Sequence, residues 1–334
     1  MPHGALRLAT AAMGLALACA APLGAAPPPE PVPVIFDTDM DSDCDDLGAL
    51  ALLHALADLG EARILAVITT TDDPDTPPCA DAVNTWYGRG DVPIGVLDPA
   101  GGGGRSRSRY AKAVAEACPH DLASCADAED AVHLYRRVLA AQPDASVVVV
   151  TVGHLTSLAR LLDSGPDAIS PLAGLDLVAR KVRLWSCMGG TYPEGKEPNF
   201  YRPDPAATVR CVRSWPTRVM FSGAEIGHAI QTGARLAETP PANPVRVGYE
   251  RYFGQPGRNR ASWDQTAVLY AVRGLADYWD AETVGHCHVE PDGRNAWRRE
   301  PDKPHAYLKP KMDPKRLARL IEALMVRPPR TPSK

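Results

Sequence analysis

Six aspartates lie within ten positions of one segment of this chain, PVPVIFDTDMDSDCDDLGALALLHAL at 31–56. They follow directly on an apolar run and are Asp37, Asp39, Asp41, Asp43, Asp45 and Asp46. A helix N-terminus stabilises one or two carboxylates by about 0.3 to 1 kcal/mol each, which does not account for six. Like charges at this spacing repel one another unless a cation offsets them, and Ca²⁺ takes oxygen ligands of this kind. The segment predicts a cation site, with an exposed acidic loop as the simpler alternative.

Two well-known acidic motifs fit this segment poorly. An EF-hand loop that begins at Asp37 needs Gly where Ser42 stands and a bidentate Glu where Gly48 stands. The letters VIFDTD also resemble the start of haloacid-dehalogenase phosphatases, but that family does not explain Asp41 or the adjacent acidic pair DD at 45–46.

The elements that must position these aspartates are short apolar runs, each followed by a helical pattern. The runs are PVPVIFD, ARILAVITT, SVVVVTVG, KVRLWSCMGG and TRVMFSG. Helices that cover both faces of a parallel sheet remove the alternation of apolar and polar residues from its strands. The pattern therefore predicts an α/β fold with a mostly parallel central sheet flanked by helices. Ligands bind beyond the carboxyl ends of such strands, which is where the aspartates follow the first run.

A strand, DTD, a short turn and DD at a helix start resemble the N-terminal signature of the inosine-uridine-preferring nucleoside hydrolases, here in the longer spacing DxDxxxDxDD. Later segments resemble that family in the same order. They are GHLTSLA at 153–159, MGG with EPNFYRPDPAA at 188–207, and SWDQTA at 262–267. The resemblance covers roughly residues 31 to 275.

The resemblance implies a nucleoside-hydrolase-like, Rossmann-like core and a function. The function is calcium-dependent hydrolysis of an N-glycosidic bond, with inverting attack by a metal-bound water and release of ribose. The implied residues are Asp39, Asp46, Asp264 and the Val152 carbonyl for the ion, and Glu197 and Asn199 for the sugar. The base that takes the proton of the water is Asp45, or Asp43 if the longer turn shifts the roles.

Trp263 stands where base-specific members of that family carry a His that protonates the departing base, so an acid must come from elsewhere. Trp263 and Trp185 are candidates to stack on a base. The same calcium cup could serve a secreted protein that binds a pentose or nucleoside without catalysis, or a hydrolase of another ribosyl-like substrate. The resemblance also implies a homo-oligomer.

Composition sets the remaining expectations. The chain has 334 residues, 45% hydrophobic and 23% charged, with a formal net charge of -4, which gives no reason to expect a nucleic-acid partner. Residues 1–26 have a cationic lead, an apolar stretch and small residues before PPPEP, which is typical of a cleaved signal peptide. We therefore expect a periplasmic or secreted protein with one domain over 27–334 and no membrane span, and lipid attachment at Cys19 is a less favoured alternative.

Seven cysteines follow the predicted cleavage site. An oxidising compartment permits disulfides, and Cys118 with Cys125 would close a short loop, but spacing alone does not give the pairing. We interpret the letters HCH at 286–288 as a surface loop rather than a zinc site.

Overall fold

A computed structural model describes Met1 and residues 30–97 and 109–330. The predicted signal peptide, apart from Met1, lies outside the described residues. The strands of the described part are β1 (Val32–Thr38), β2 (Ala62–Thr69), β3 (Ile94–Val96), β4 (Glu129–Asp130), β5 (Val147–Thr151), β6 (Val182–Met188), β7 (Glu194–Gly195), β8 (Arg218–Ser222), β9 (Gln231–Thr232), β10 (Arg260–Ala261), β11 (Trp279–Glu282), β12 (His286–Val289), β13 (Asn295–Arg298) and β14 (His305–Pro310).

The α-helices of the described part are α1 (Asp45–Asp58), α2 (Thr76–Trp86), α3 (Ala111–Ala117), α4 (Ala131–Ala140), α5 (Thr156–Asp163), α6 (Gly174–Lys181), α7 (Pro198–Tyr201), α8 (Pro205–Ser214), α9 (Ala224–His228), α10 (Pro244–Phe253), α11 (Trp263–Arg273) and α12 (Pro314–Met325). Two short 3₁₀ helices span Cys125–Asp127 and Ala234–Glu238. No helix in the part of the chain that the structure describes is both long and apolar enough to cross a bilayer.

Nine strands of the described residues form one sheet in the order β11-β14-β8-β6-β5-β1-β2-β3-β4. Every neighbouring pair is parallel except β11 with β14. The five runs predicted as strands are β1, β2, β5, β6 and β8, so the prediction of an α/β fold with a mostly parallel sheet is confirmed. Strand β1 lies inside the sheet, between β5 and β2. The acidic turn that follows β1 therefore lies beside the carboxyl ends of these central strands.

Both faces of this sheet are buried, which explains the continuous apolar runs. Along β1, Val34 and Phe36 join the hydrophobic cluster on one face while Ile35 joins the cluster on the other. Along β5, Val148 and Val149 divide in the same way. Since each such side chain gains about 1.5 to 3 kcal/mol on full burial, a polar residue on either face would destabilise the sheet.

Helix α1 follows the acidic turn and is buried from Asp45 through Leu56, so it has no polar face over that stretch. It packs against α11 at Gly48, where a Cβ would lie 2.4 Å from Nε2 of Gln265. Glycine thus permits a close approach of the two helices. That approach brings Asp264, in the first turn of α11, to the N-terminus of α1.

The interpretation of HCH as a surface loop is wrong, and the structure also decides the cysteine pairing that spacing alone left open. The HCH segment is strand β12, and His286 and Cys287 are buried because β12 pairs with β13 and Cys287 packs in a hydrophobic cluster. All seven cysteines of the described residues are free thiols, so Cys118 and Cys125 form no disulfide.

Candidate functional site

A cavity of about 470 Å³ opens beyond the carboxyl ends of β1, β5 and β6. Among the described residues that line it are eight predicted site residues: Asp39, Asp43, Asp45, Val152, Glu197, Asn199, Trp263 and Asp264. The ninth, Asp46, has a carboxylate oxygen within 4.8 Å of those of Asp43 and Asp45. The fold therefore gathers the predicted residues from the acidic turn, the β5 end, the α7 segment and the start of α11.

The acidic turn is held by one of its own aspartates. Asp41 has a φ of 74°, a left-handed conformation that Asp tolerates better than most residues. Its carboxylate accepts hydrogen bonds from the backbone N–H groups of Tyr110 at 2.7 Å, Ala111 at 3.0 Å and Arg109 at 3.3 Å. In return, the Asp41 N–H donates to the Tyr110 hydroxyl at 2.6 Å. Asp41 thus joins the turn to the N-terminus of α3.

The strand ends are held in register by backbone contacts and a glycine. Asp37 lies on β1, where its carboxylate accepts a hydrogen bond from the Tyr135 hydroxyl at 2.6 Å and its carbonyl accepts one from the Val152 N–H at 2.8 Å. At Gly153 a Cβ would lie 2.5 Å from the Asp39 backbone nitrogen. The absence of a side chain at Gly153 therefore lets Asp39 lie against the end of β5.

Asp43, Asp45 and Asp46 form a tight group of carboxylates at the start of α1. Asp43 accepts a hydrogen bond from Nη2 of Arg260 at 2.9 Å, and Asp45 accepts one from the Asp264 N–H at 3.1 Å. The contact of Asp43 with Arg260 is a salt bridge. Asp43 and Asp45 therefore differ in how far their charges are offset by these contacts.

The pKa values of these carboxyl groups reflect that difference. Burial raises the pKa of Asp45 well above its ordinary value, and the charge of Asp43 raises it further. Burial and the charge of Asp45 raise the pKa of Asp264 in the same direction. Burial alone would raise the pKa of Asp43, but a hydrogen bond with Asp45 and the charge of Arg260 hold it below its ordinary value. The site thus concentrates negative charge, and Arg260 offsets that of Asp43.

The available ligand atoms suit a hard divalent cation. Carboxylate oxygens come from Asp39, Asp45 and Asp264, and the Val152 carbonyl oxygen lies on the same cavity. Ca²⁺ and Mg²⁺ prefer such oxygen ligands, whereas structural zinc sites use sulfur and nitrogen. A cation would also relieve the repulsion that raises the carboxyl pKa values. The residues therefore fit a calcium ion on the chemistry of their donors.

The wall beside these acids is polar and ordered by its own backbone. Glu197 is buried, and its two carboxylate oxygens accept hydrogen bonds from the N–H groups of Asn199 at 3.0 Å and Gly190 at 3.1 Å. Burial raises the pKa of Glu197 to about 7. The Asn199 amide donates to the Val152 carbonyl at 2.9 Å. This contact links the residues predicted to bind the sugar to one predicted to bind the ion.

The two tryptophans have different environments. Trp263 lines the cavity, donates its indole N–H to the Ala224 carbonyl at 2.9 Å, and has the guanidinium carbon of Arg260 4.8 Å from its ring centre. Trp185 is fully buried and donates to the Thr151 hydroxyl at 2.8 Å. The interpretation of Trp185 as a base-stacking residue is wrong, because Trp185 lies in the middle of β6 and packs in the core.

Several residues that line the cavity were not predicted from the sequence. They are Ser42, Arg109, His154, Met188, Pro198, Arg202, Pro203, Ala224 and Arg260. Arg260 stands four positions before Asp264 in GRNRASWD, and that proximity was an available signal. Arg109 and Arg202 follow no motif, and sequence gives no reason to place them together.

No protein-family model and no curated protein matches this chain. Solved structures do match its fold. A plant nucleoside hydrolase has a TM-score of 0.64 at 17% identity and covers 89% of this chain and 100% of its own. The inosine-uridine preferring nucleoside hydrolase from Bacillus anthracis has a TM-score of 0.63 at 17% identity, covering 88% of this chain and 99% of its own. The type III effector protein XopQ complexed with adenosine diphosphate ribose has a TM-score of 0.63 at 16% identity, covering 89% and 94%. The predicted nucleoside-hydrolase-like core is therefore confirmed as a fold.

Proposed function

We propose that this protein hydrolyses the N-glycosidic bond of a ribosyl compound at the cavity beyond β1, β5 and β6, and releases ribose. Buried acids and a polar wall that contains Glu197 and Asn199 line the same cavity. This observation carries the proposal. The fold that this chain shares with proteins named nucleoside hydrolases supports the same chemistry.

Calcium is the cation that we assign to this cavity. Asp39, Asp46, Asp264 and the Val152 carbonyl are the groups that would hold it. A calcium ion, when bound, supplies orientation and acidification of a water molecule. Selectivity between calcium and magnesium depends on how many oxygen ligands the site offers. A site with several carboxylates and a backbone carbonyl favours calcium, the larger ion.

Asp45 is the better candidate for the base that takes a proton from the water. Asp43 forms a salt bridge with Arg260 at 2.9 Å, which holds its negative charge and reduces its tendency to accept a proton. Asp45 makes no salt bridge among the described residues and lines the cavity. The structure thus favours Asp45 for the base and Asp43 for positioning Arg260.

Glu197 and Asn199 are the groups that we assign to the sugar hydroxyls. Their hydrogen bonds to one another and to the Val152 carbonyl keep both side chains in place before a ligand arrives. Water that attacks from the side of the acids would invert the anomeric carbon. Trp263 cannot act as the acid for the leaving group, because an indole N–H does not ionise in this range and here donates to Ala224.

A screen of nucleosides for release of free ribose, in the presence of calcium, tests this proposal. The comparison includes wild type, Asp45→Asn, Asp43→Asn and, as a matched control, Asp144→Asn, because Asp144 is exposed and precedes the other end of β5. We expect release by wild type and by the control, and a loss of about 10²- to 10⁴-fold in Asp45→Asn. Unchanged release in both site variants would remove the base assignment. Binding of nucleosides with no release of ribose from any would favour a calcium-dependent recognition protein.

We also propose that the chain is secreted after cleavage near residue 26, that 27–334 form one domain, and that the protein is a homo-oligomer. The intact mass of protein from a periplasmic fraction tests the cleavage, and retention of the full precursor mass would contradict it.

Light scattering tests the assembly, and a mass of one chain at all concentrations would contradict a homo-oligomer. A single cooperative unfolding transition is the result expected for one domain.

A further inference from the structure

We propose that the cavity takes a phosphorylated ribosyl compound and binds its phosphate through three arginines, Arg109, Arg202 and Arg260, which we call the cationic rim. This inference rests on the proposed function, since it names the substrate class of the same cavity.

The cationic rim comes from three separate segments of the chain. Arg109 precedes α3, Arg202 follows α7 and Arg260 begins β10, yet all three line one cavity. Among the described residues, no carboxylate lies within salt-bridge distance of the Arg109 or Arg202 guanidinium. Both side chains are exposed, so they are free to meet a ligand at the mouth of the cavity.

Some arginines elsewhere in the described chain are held by acids. Arg136 pairs with Asp167 at 2.6 Å, and Arg273 pairs with Glu61 at 2.7 Å. Arg109 and Arg202 have no such salt bridge among the described residues, and both line the same cavity as Arg260. Their position on one cavity is the feature that a ligand would use.

Arg260 supplies the most constrained donor of the rim. Its Nη2 is engaged by Asp43, but its Nε is buried and has no hydrogen-bond partner among the described residues. Its guanidinium lies 4.8 Å from the ring centre of Trp263 and 5.7 Å from that of Tyr252, which restricts the plane of the group. A buried N–H on a cation costs free energy unless an acceptor meets it. An anionic oxygen of a ligand is such an acceptor.

Arg109 belongs to the same neighbourhood as Arg260. Burial raises the pKa of the Tyr252 hydroxyl, and the positive charges of Arg260 and Arg109 both oppose that rise. The two guanidinium groups therefore act on the same phenol. Arg202 comes from a different segment and stands three positions after Asn199, which belongs to the polar wall.

Phosphate is the anion that this arrangement fits. A neutral nucleoside offers no charge to three arginines, whereas a phosphate offers several oxygens that guanidinium groups bind in pairs. The acids on the floor of the cavity repel an anion, so the phosphate lies at the rim and the ribose lies at the floor. This polarity gives the substrate one orientation. The cavity volume of about 470 Å³ lies in the range that small-molecule sites occupy.

The test compares kcat/KM for adenine release from adenosine, adenosine 5′-monophosphate and adenosine 5′-diphosphate, because the sugar product of the last two keeps its phosphate. The variants are Arg202→Gln and Arg109→Gln, and the matched control is Arg180→Gln, because Arg180 is exposed and pairs with Asp144 away from the cavity. We expect a phosphorylated substrate to be preferred by wild type and by the control. Each rim variant should reduce that preference by about tenfold, mainly through KM, as expected for loss of a charge-assisted hydrogen bond. The preference should also fall as salt is added.

Which phosphorylated compound is preferred distinguishes a monophosphate from a diphosphate, and either preference supports the rim. Adenosine hydrolysed as efficiently as both phosphorylated compounds, or a preference for phosphorylated compounds that survives in both rim variants, would overturn it. If no compound releases adenine, the proposed function fails, and calorimetric binding of adenosine 5′-monophosphate and adenosine then decides the inference. Tighter binding of the monophosphate that Arg202→Gln weakens would support the rim, and equal binding of the two would overturn it.

Discussion

The acidic turn contains two kinds of aspartate that the sequence does not distinguish. Asp41 directs its carboxylate to three backbone N–H groups, and Asp37 directs one oxygen to a tyrosine hydroxyl. Asp43 and Asp45 instead line the cavity. Aspartates of the first kind hold the chain, and those of the second lie where a ligand would bind. The comparison teaches that the partners of a carboxylate, and not its position in a motif, separate structure from chemistry.

The largest expected effect comes from Asp45→Asn, which tests the second kind. We expect ribose release to fall by about 10²- to 10⁴-fold, since a neutral amide accepts no proton from water. The free energy of unfolding in calcium-free buffer should stay the same or rise, because the variant removes a buried charge. Urea titration alongside the activity assay measures both. A variant that loses activity only because it unfolds would place Asp45 with Asp41.

Asp41→Ala tests the first kind of aspartate. It removes a carboxylate that accepts backbone hydrogen bonds and places alanine at a φ of 74°. We expect a loss of about 2 to 4 kcal/mol in the free energy of unfolding, measured by urea titration. Asp41→Asn is the matched control, because asparagine tolerates this conformation and retains one acceptor oxygen. Equal stability of Asp41→Ala and wild type would contradict a structural role.

The response of stability to pH should report on the buried acids. Burial raises the pKa of Asp45 and of Asp264, and that of Glu197 from 4.5 to about 7. The folded, calcium-free protein therefore binds more protons than the unfolded chain above pH 4.5, and its stability should fall as pH rises toward 7 and beyond. Calcium needs the ionised carboxylates, so the increase in Tm that calcium produces should grow over the same range. A calcium effect that shrinks with rising pH would contradict this assignment of the acids.

The smallest effect is expected from Trp263→Phe. The variant keeps an aromatic ring beside Arg260 and loses the hydrogen bond to Ala224, which contributes about 1 kcal/mol to stability. Because the indole donates no proton to the leaving group, the pH profile of kcat should keep its shape. A change in the acid limb of that profile would show that Trp263 takes part in proton transfer after all.

The central strands and the acidic residues of the cavity could be predicted from the sequence for physical reasons. Burial on both faces leaves continuous apolar runs such as VVVV at 147–150, and the aspartates follow one of these runs directly. Position along a strand was thus enough to place Asp39 and Asp45 at the carboxyl edge. The environment of Trp185 could not be predicted, because the sequence did not show that Trp185 lies in the middle of β6 rather than at the end that faces the cavity.

The cationic rim could not be predicted from the sequence, for a different reason. Arg260 and Asp43 are 217 positions apart, and their salt bridge depends on the packing of α11 against α1. Arg109 and Arg202 lie in irregular segments that carry no periodicity. Local patterns predict secondary structure and the residues at its ends, but they do not predict which distant loops meet.

Ribose release by metal-stripped and calcium-reconstituted protein tests the central claim most directly. Substrates with and without phosphate are incubated with both forms, and free reducing sugar and bound calcium are measured in the same samples. We predict that release of reducing sugar is absent without the ion and returns in proportion to the calcium bound. Calcium binding at the cavity with no release of reducing sugar from any ribosyl compound would contradict hydrolysis.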